Sequence, residues 1–240
     1  MRGADEPESR GPDASGAAAS GSAASGSAAS GSAASGADEP ESPLARLRQG
    51  HALRDEQFDA IYPAHIQNLS ERFWTPLAVA KDAAAFLASS PGARVLDAGS
   101  GVGKFCIVGS CTTSGAFTGL EQRADLVELA RTTAQPLNKP PTFHHANLID
   151  HDWSAYQSIY LYNPFFELTS GPWCQIDASI GYNKSAQASY IRTVTHKLQA
   201  LQSGTRIATY FGFGGTMPTS YSLTKSIANH PGPLEFWIKD

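Results

Sequence analysis

Residues 94–105 read Arg94-Val95-Leu96-Asp97-Ala98-Gly99-Ser100-Gly101-Val102-Gly103-Lys104-Phe105. Val95 and Leu96 form a short apolar run, Asp97 is a carboxylate at its end, and Gly99, Gly101 and Gly103 follow at alternate positions. This order predicts a buried strand that turns sharply into a helix, with the glycines supplying the backbone freedom for the turn and for close approach to a ligand. The helix that follows presents unpaired N–H groups in its first turn. A Gly-x-Gly-x-x-Gly dinucleotide fingerprint does not fit. Counted from Gly99 the sixth position is Lys104, and counted from Gly101 the third is Gly103.

An acid, one spacer and then Gly-x-Gly-x-Gly resembles motif I of the class I, seven-strand methyltransferases that use S-adenosylmethionine. The resemblance implies an α/β fold: a Rossmann-like seven-strand sheet with helices on both faces and a C-terminal antiparallel hairpin. It also implies that Asp97 and the turn of Gly99, Gly101 and Gly103 hold the methionine portion and ribose of that cofactor. The chemistry agrees, because adenosylmethionine carries an ammonium and a sulfonium but no phosphate. A carboxylate beside the glycines favours a cation.

Downstream, residues 117–120 read as a second strand ending at Glu121. An acid at this place is where a ribose diol is held, two hydroxyl donors matching two carboxylate oxygens. Residues 123–133 read as the next helix and residues 142–145 as a third strand, followed by Asn147. The resemblance places a contact to the adenine amino group at that turn, a role that falls to Asn147, with Asp150 as the nearby substitute. Residues 158–162 form an aromatic-rich fourth strand that runs into Asn163-Pro164-Phe165-Phe166-Glu167.

This last stretch resembles motif IV, the Asp/Asn-Pro-Pro-aromatic motif of amino-group methyltransferases and the Asn-containing loop of seven-strand protein-lysine methyltransferases. The resemblance is nearest to compact bacterial members with Asn-Pro-Phe at this place, and it makes Asn163, Pro164 and Phe165 the catalytic candidates. Asn163 and a backbone carbonyl would accept the N–H hydrogens of an amine and aim its lone pair at the methyl carbon. An aromatic face suits the cation that develops on nitrogen. Phe165 replaces the second proline of the nucleic-acid enzymes, which weakens assignment to a base. Residues 185–202 then read as a helix stopped by Gly204, residues 206–211 as a fifth strand, and residues 221–227 and 234–238 as a closing pair.

Upstream, residues 43–90 read as N-terminal helices ahead of a core over residues 91–240. Phe58, Ile61 and Tyr62 recur at helical spacing before Pro63, and Thr75-Pro76 marks a second helix whose apolar face carries Leu77, Ala80, Ala84 and Leu87. Tyr62, Trp74 and Thr75 are candidates for a lid over the cofactor, Thr75 being counted among its contacts; the alternative is that the aromatics serve only as core.

Residues 1–42 form an acidic, Ala/Ser/Gly-rich tail. Residues 14–36 contain only Ala, Ser and Gly, with Gly-Ser-Ala-Ala-Ser three times over residues 21–35. Such a composition cannot fill a core and reads as a disordered tether. Seven acids against two arginines give this tail a charge of −5, and the chain's total of −4 leaves +1 for the rest. A nearly neutral folded part makes nucleic acid a less expected partner than a protein or small-molecule amine. No apolar run is long enough for a membrane span, which makes a cytoplasmic compartment the default. Cys106, Cys111 and Cys174 form no Cys-x-x-Cys pair and the adjacent His144 and His145 point apart on a strand, so no metal site is assigned.

Three readings follow: an adenosylmethionine-dependent N-methyltransferase, with protein lysine among its acceptors; a related enzyme acting on a nucleobase or small metabolite; and a non-catalytic binding module that keeps the fold. Substrate, number of methyl groups and oligomeric state are not legible. Deleting residues 1–42 is expected to leave the melting temperature almost unchanged in a thermal scan, since the tail carries no apolar side chain suited to a core.

Overall fold

The computed structural model describes residues 41–240, so the expected tether lies outside the described residues except for its last two. Ser42 caps the first helix, its hydroxyl accepting the Ala45 N–H at 3.3 Å. The last residue of the expected tail is therefore a helix cap.

Seven strands form one sheet: β1 (Arg94–Ala98), β2 (Ala116–Glu121), β3 (Thr142–His145), β4 (Ser158–Tyr162), β5 (Arg206–Tyr210), β6 (Tyr221–Ile227) and β7 (Leu234–Lys239), in the order β3-β2-β1-β4-β5-β7-β6. The β1–β2, β1–β4, β2–β3 and β4–β5 pairs are parallel, while β7 inserts antiparallel between β5 and β6. The central strands are buried on both faces, which explains their near-continuous apolar runs. Val95, Phe117 and Tyr160 enter one core, and Leu96, Leu120, Ile159 and Leu161 the other.

The first core is closed by α5 (Leu77–Leu87), α6 (Lys104–Thr112) and α7 (Ala124–Ala134), together with the short helices α1 (Pro43–Arg48), α2 (Asp55–Asp59), α3 (Ala64–Gln67) and α4 (Ser70–Phe73). Leu47, Phe58 and Tyr62 are buried in it, so the N-terminal helices share the sheet's own core. The second core is closed by α8 (Lys184–Ala200), through Val194 and Leu198, and by loops. No helix follows β3 or β5 among the described residues. Trp153 fills part of that gap, its indole N–H donating to the Leu148 carbonyl at 3.0 Å.

Three boundaries differ from the sequence expectation, each for a local reason. Thr75 does not cap α5: its hydroxyl lies 3.1 Å from the Tyr160 hydroxyl, and the Leu77 N–H is instead satisfied by an Asp55 carboxylate oxygen at 2.8 Å. A cap supplied from 22 residues away leaves no trace at the helix start. Helix α8 ends at Ala200, and Gly204 serves the turn into β5 with φ 82°. Strand β5 stops at Tyr210, because Phe211 adopts φ 56° and leaves the ladder.

The N-terminal helices are fastened to the glycine turn by Lys104, the first residue of α6 and only 2% exposed. Its ammonium lies 2.6 Å from Asp55 and 2.7 Å from Asp59, and 5.7 Å from the centroid of the Phe58 ring. Removing one partner of a buried pair leaves the other charge without compensation, which costs about 3–5 kcal/mol. Lys104→Met is therefore expected to lower the urea-unfolding free energy by about that amount, and Lys104→Met combined with Asp59→Asn to recover part of it.

Candidate functional site

Strand order reverses between β1 and β4, since the chain continues from β1 to β2 on one side and from β4 to β5 on the other. The crevice beyond the carboxyl ends of strands at such a reversal is where open α/β sheets bind ligands. A cavity of about 660 Å³ lies there, lined by residues from the glycine turn, the ends of β2 and β4, α4 and the segment before α8.

Of the motif I residues, Asp97, Gly99 and Gly101 line the cavity and Gly103 does not. Gly103 takes φ 77° at the start of α6, and a Cβ there would stand 2.5 Å from the Phe143 ring. It is thus a glycine of helix–sheet packing, a role its place in the motif did not suggest. At Gly101, with φ 51°, a Cβ would lie 2.6 Å from the Trp74 ring. Trp74 is fixed in turn by its indole N–H, which donates to the Ile66 carbonyl at 3.0 Å. The turn is therefore pressed between the N-terminal segment and the sheet.

Asp97 and Glu121 are both buried and both face the cavity. Burial pushes the Asp97 carboxyl up to about 8, against a hydrogen bond from the Cys106 thiol at 3.6 Å and with the Glu121 charge adding to the rise. Burial also raises Glu121, opposed by backbone N–H donors. One Glu121 oxygen accepts the Gly101 N–H at 3.1 Å and the other the Arg123 N–H at 2.9 Å. Each carboxylate oxygen keeps a further lone pair for an incoming hydroxyl.

Asn147 lines the cavity, whereas Asp150 is exposed and lies outside the lining. The Asn147 side-chain oxygen accepts the Ile149 N–H at 3.2 Å, and its amide group approaches the Tyr190 hydroxyl at 3.5 Å. Trp74 and Thr75 also line the cavity; Tyr62 sits in the core with 3% exposure and is no lid residue. Asn163, Pro164 and Phe165 come to the cavity together. Asn163 holds φ 34°, with its N–H donating to the Gly212 carbonyl at 3.0 Å and its carbonyl accepting the Phe166 N–H at 3.0 Å. Phe165 is 3% exposed and packs on Tyr190 at 5.5 Å between centroids.

Sequence reading missed two features. Ser100 is buried in the lining, and its hydroxyl has no hydrogen-bond partner among the described residues. Arg123 is buried, grips Glu167 through two bonds of 3.1 and 2.8 Å and meets Asp177 at 2.9 Å. Glu167 also accepts the Ile176 N–H at 2.9 Å, so this cluster ties the segment after motif IV to the end of β2. Glu167 stands in the quoted motif, but its partner is 44 residues away and nothing in the local pattern marks it.

No protein-family model matches the chain, and no curated protein matches it. Among solved structures, it is similar to magnesium protoporphyrin IX methyltransferase of Synechocystis PCC 6803 with bound S-adenosylmethionine, with a TM-score of 0.51 and 13% identity over 79% of this chain and 99% of that one. The same enzyme with the demethylated product bound gives 0.50, with 15% identity over 76% and 92%. TrmN of Thermus thermophilus gives 0.51 with 17% identity, over 69% of this chain and about half of that one, 49%. At these identities the likeness shows the fold, which is the Rossmann-like seven-strand sheet of methyltransferases.

The Asp97 environment has a signed consequence for stability. The folded protein keeps this proton up to about pH 8, while the unfolded chain loses it near the ordinary value of 3.8. Unfolding in that window releases a proton, so this group's contribution to stability falls as pH rises through it. The ligand-free Asp97→Asn variant is expected to show a flatter melting temperature than the wild type between about pH 4 and about 8, in parallel thermal scans.

Proposed function

We propose that this chain transfers the methyl group of S-adenosylmethionine to a nitrogen atom of its substrate. The observation that supports this best is the convergence of Asp97, Glu121 and Asn163 on one cavity at the reversal of the sheet. The charge pattern fits the cofactor. Of the cationic groups in the lining, Lys104 and Arg123 are paired with carboxylates and Arg72 is engaged by the Trp173 carbonyl, whereas Asp97 and Glu121 have no ionic partner in salt-bridge range among the described residues. The methionine head, whose ammonium and sulfonium outweigh its one carboxylate, suits these two acids better than a phosphate does, and its positive charge draws Asp97 towards the ionised form.

In this reading Glu121 holds the ribose diol, Asp97 and the Gly99–Gly101 backbone hold the methionine portion, and Asn147 lies beside the adenine with its oxygen partly engaged by Ile149. Thr75 acts through Tyr160, positioning the wall. When bound, the cofactor supplies an electrophilic methyl group on a sulfonium. Asn163 orients the acceptor: its side-chain oxygen takes one N–H, and the Pro164 carbonyl takes a second, since the Asn163 carbonyl is committed to Phe166. The amine enters neutral with its lone pair aligned, and it releases a proton to water afterwards. Pro164 and Phe165 fix this loop. The alternative acceptors are a protein lysine and a ring-borne amine of a nucleobase or metabolite.

S-adenosylmethionine is expected to bind with micromolar affinity, about −8 kcal/mol, by calorimetry. Asn163→Gly removes the amide while tolerating the positive φ. It is expected to reduce turnover about a hundredfold, near 3 kcal/mol of transition-state stabilisation, with cofactor affinity little changed. Glu121→Ala is expected to weaken cofactor binding first. Binding of NAD in place of either adenosylmethionine or its demethylated product would overturn the assignment.

A further inference from the structure

Two non-glycine residues hold positive φ among the described residues, Asn163 at 34° and Phe211 at 56°. Such conformations cost free energy and persist where the surrounding structure enforces them, which clusters them at functional sites. These two are neighbours in space. Each is the first residue past its strand, the strands pair in parallel with Tyr162 opposite Tyr210, and the Asn163 N–H donates to Gly212. Asn163 is explained by its place in the proposed transfer step; Phe211 is not.

Phe211 lines the same cavity and remains 44% exposed, an unusual state for a phenylalanine held in a strained conformation. Its N–H donates to the Pro233 carbonyl at 3.1 Å, and Gly232 backs the ring so closely that a Cβ there would stand 2.2 Å from it. The ring lies 6.3 Å from that of Tyr162 with 25° between planes, and 4.8 Å from that of Tyr210. The aromatic of motif IV itself, Phe165, is turned into the second core. The aromatic surface left open beside Asn163 is that of Phe211, Tyr162 and Phe166, and of these three Phe211 is the exposed one.

Among the described residues at this end of the cavity, the titratable side chains are already engaged or open to water. Burial pushes the Tyr162 phenol up to about 12 and raises Tyr210 as well, so both stay protonated. The His230 imidazole faces Asp82 at 3.5 Å, and the Arg72 guanidinium is engaged by the Trp173 carbonyl. Glu71 is exposed to solvent. A lysine amine, with an ordinary pKa of about 10.4, arrives almost wholly protonated and needs a base to take its proton. An amine conjugated to an aromatic ring arrives neutral.

Resting on the methyl-transfer reading, we propose that the acceptor nitrogen is carried by a flat, uncharged heteroaromatic ring that lies against Phe211 and Tyr162, with Phe211 setting this specificity. Stacking of a ring on an aromatic side chain tolerates many ring types, so the platform selects flatness and the Asn163 loop selects the nitrogen. The ring has two sources, a free small molecule or an exposed base of RNA.

The test uses the full chain with S-adenosylhomocysteine present, so that a probe ring is kept out of the adenine place, and reads binding of 3-aminoquinoline, neutral at the working pH, and of adenosine by saturation-transfer NMR. Signal is expected for at least one ring with the wild type, a loss of at least tenfold in affinity for Phe211→Asn, and retention for Phe211→Tyr. Asparagine accepts positive φ readily, so the Asn variant keeps the fold, and an unchanged melting temperature checks this. Absence of ring signal, or equal binding by Phe211→Asn, overturns the inference. Failure of S-adenosylhomocysteine to bind is read separately by calorimetry and counts against the methyl-transfer reading, while the difference in ring signal between wild type and Phe211→Asn still decides this one. Methyl-labelled cofactor then separates the sources: label in free rings or in RNA supports the inference, and label confined to lysine peptides overturns it.

Discussion

The ammonium of Lys104 holds the two walls of the cavity in one frame. It begins α6 directly after the glycine turn, and its carboxylate partners stand at the start and end of α2. Asp55 is shared, since the same oxygen accepts the first N–H of α5. Ser70, which starts α4, donates to Asp59, and α4 leads into Trp74 over Gly101. One buried charge thus fixes where the N-terminal segment meets the turn, and the absent Cβ of Gly101 lets it meet so closely. A neutral core at this point would leave the orientation of four short helices to weak apolar packing alone, because helices of four to six residues have little stability of their own.

Electrostatics in the cavity runs opposite to that of the frame. In the frame each charge has its counter-charge in direct contact; in the cavity the carboxyl groups of Asp97 and Glu121 oppose each other's ionisation, held by backbone and thiol donors and by the Arg123 charge acting on Glu121. That arrangement costs stability in the ligand-free protein, as the raised Asp97 shows. A positively charged ligand relieves it, so the cost in the free state is returned as affinity. The Arg123 cluster separates the two regimes, taking Glu167 and Asp177 out of the cavity's balance while fastening the segment that covers it.

The acceptor end is organised by backbone strain. Parallel strands β4 and β5 deliver Asn163 and Phe211 side by side, and a hydrogen bond between the two turns makes each conformation support the other. Neither residue is favoured at positive φ as glycine is. What the side chains gain is a fixed amide and a fixed ring at the cavity wall, positions that a flexible glycine turn does not provide.

The residues of β1 to β7 were legible to within a residue or two because their apolar runs are bounded by polar or glycine punctuation, and the glycine turn, Glu121 and the Asn163 loop fall at strand ends, where local pattern and site position coincide. Their gathering on one cavity follows from strand order alone. Roles that depend on distant partners were not legible. Thr75 looked like a helix cap, Gly103 like a ligand contact, and Tyr62 like a lid, because local spacing cannot show that Tyr160, Phe143 or a closed core waits there. Phe211 read as one more strand residue. The sequence by itself determined the alternation of strand and helix and the chemistry available at each turn, since those are set by neighbours along the chain. Only the tertiary structure decided which glycine faces the cavity, which carboxyl group burial raises and which aromatic ring is left exposed, since those are set by contacts between residues tens of positions apart.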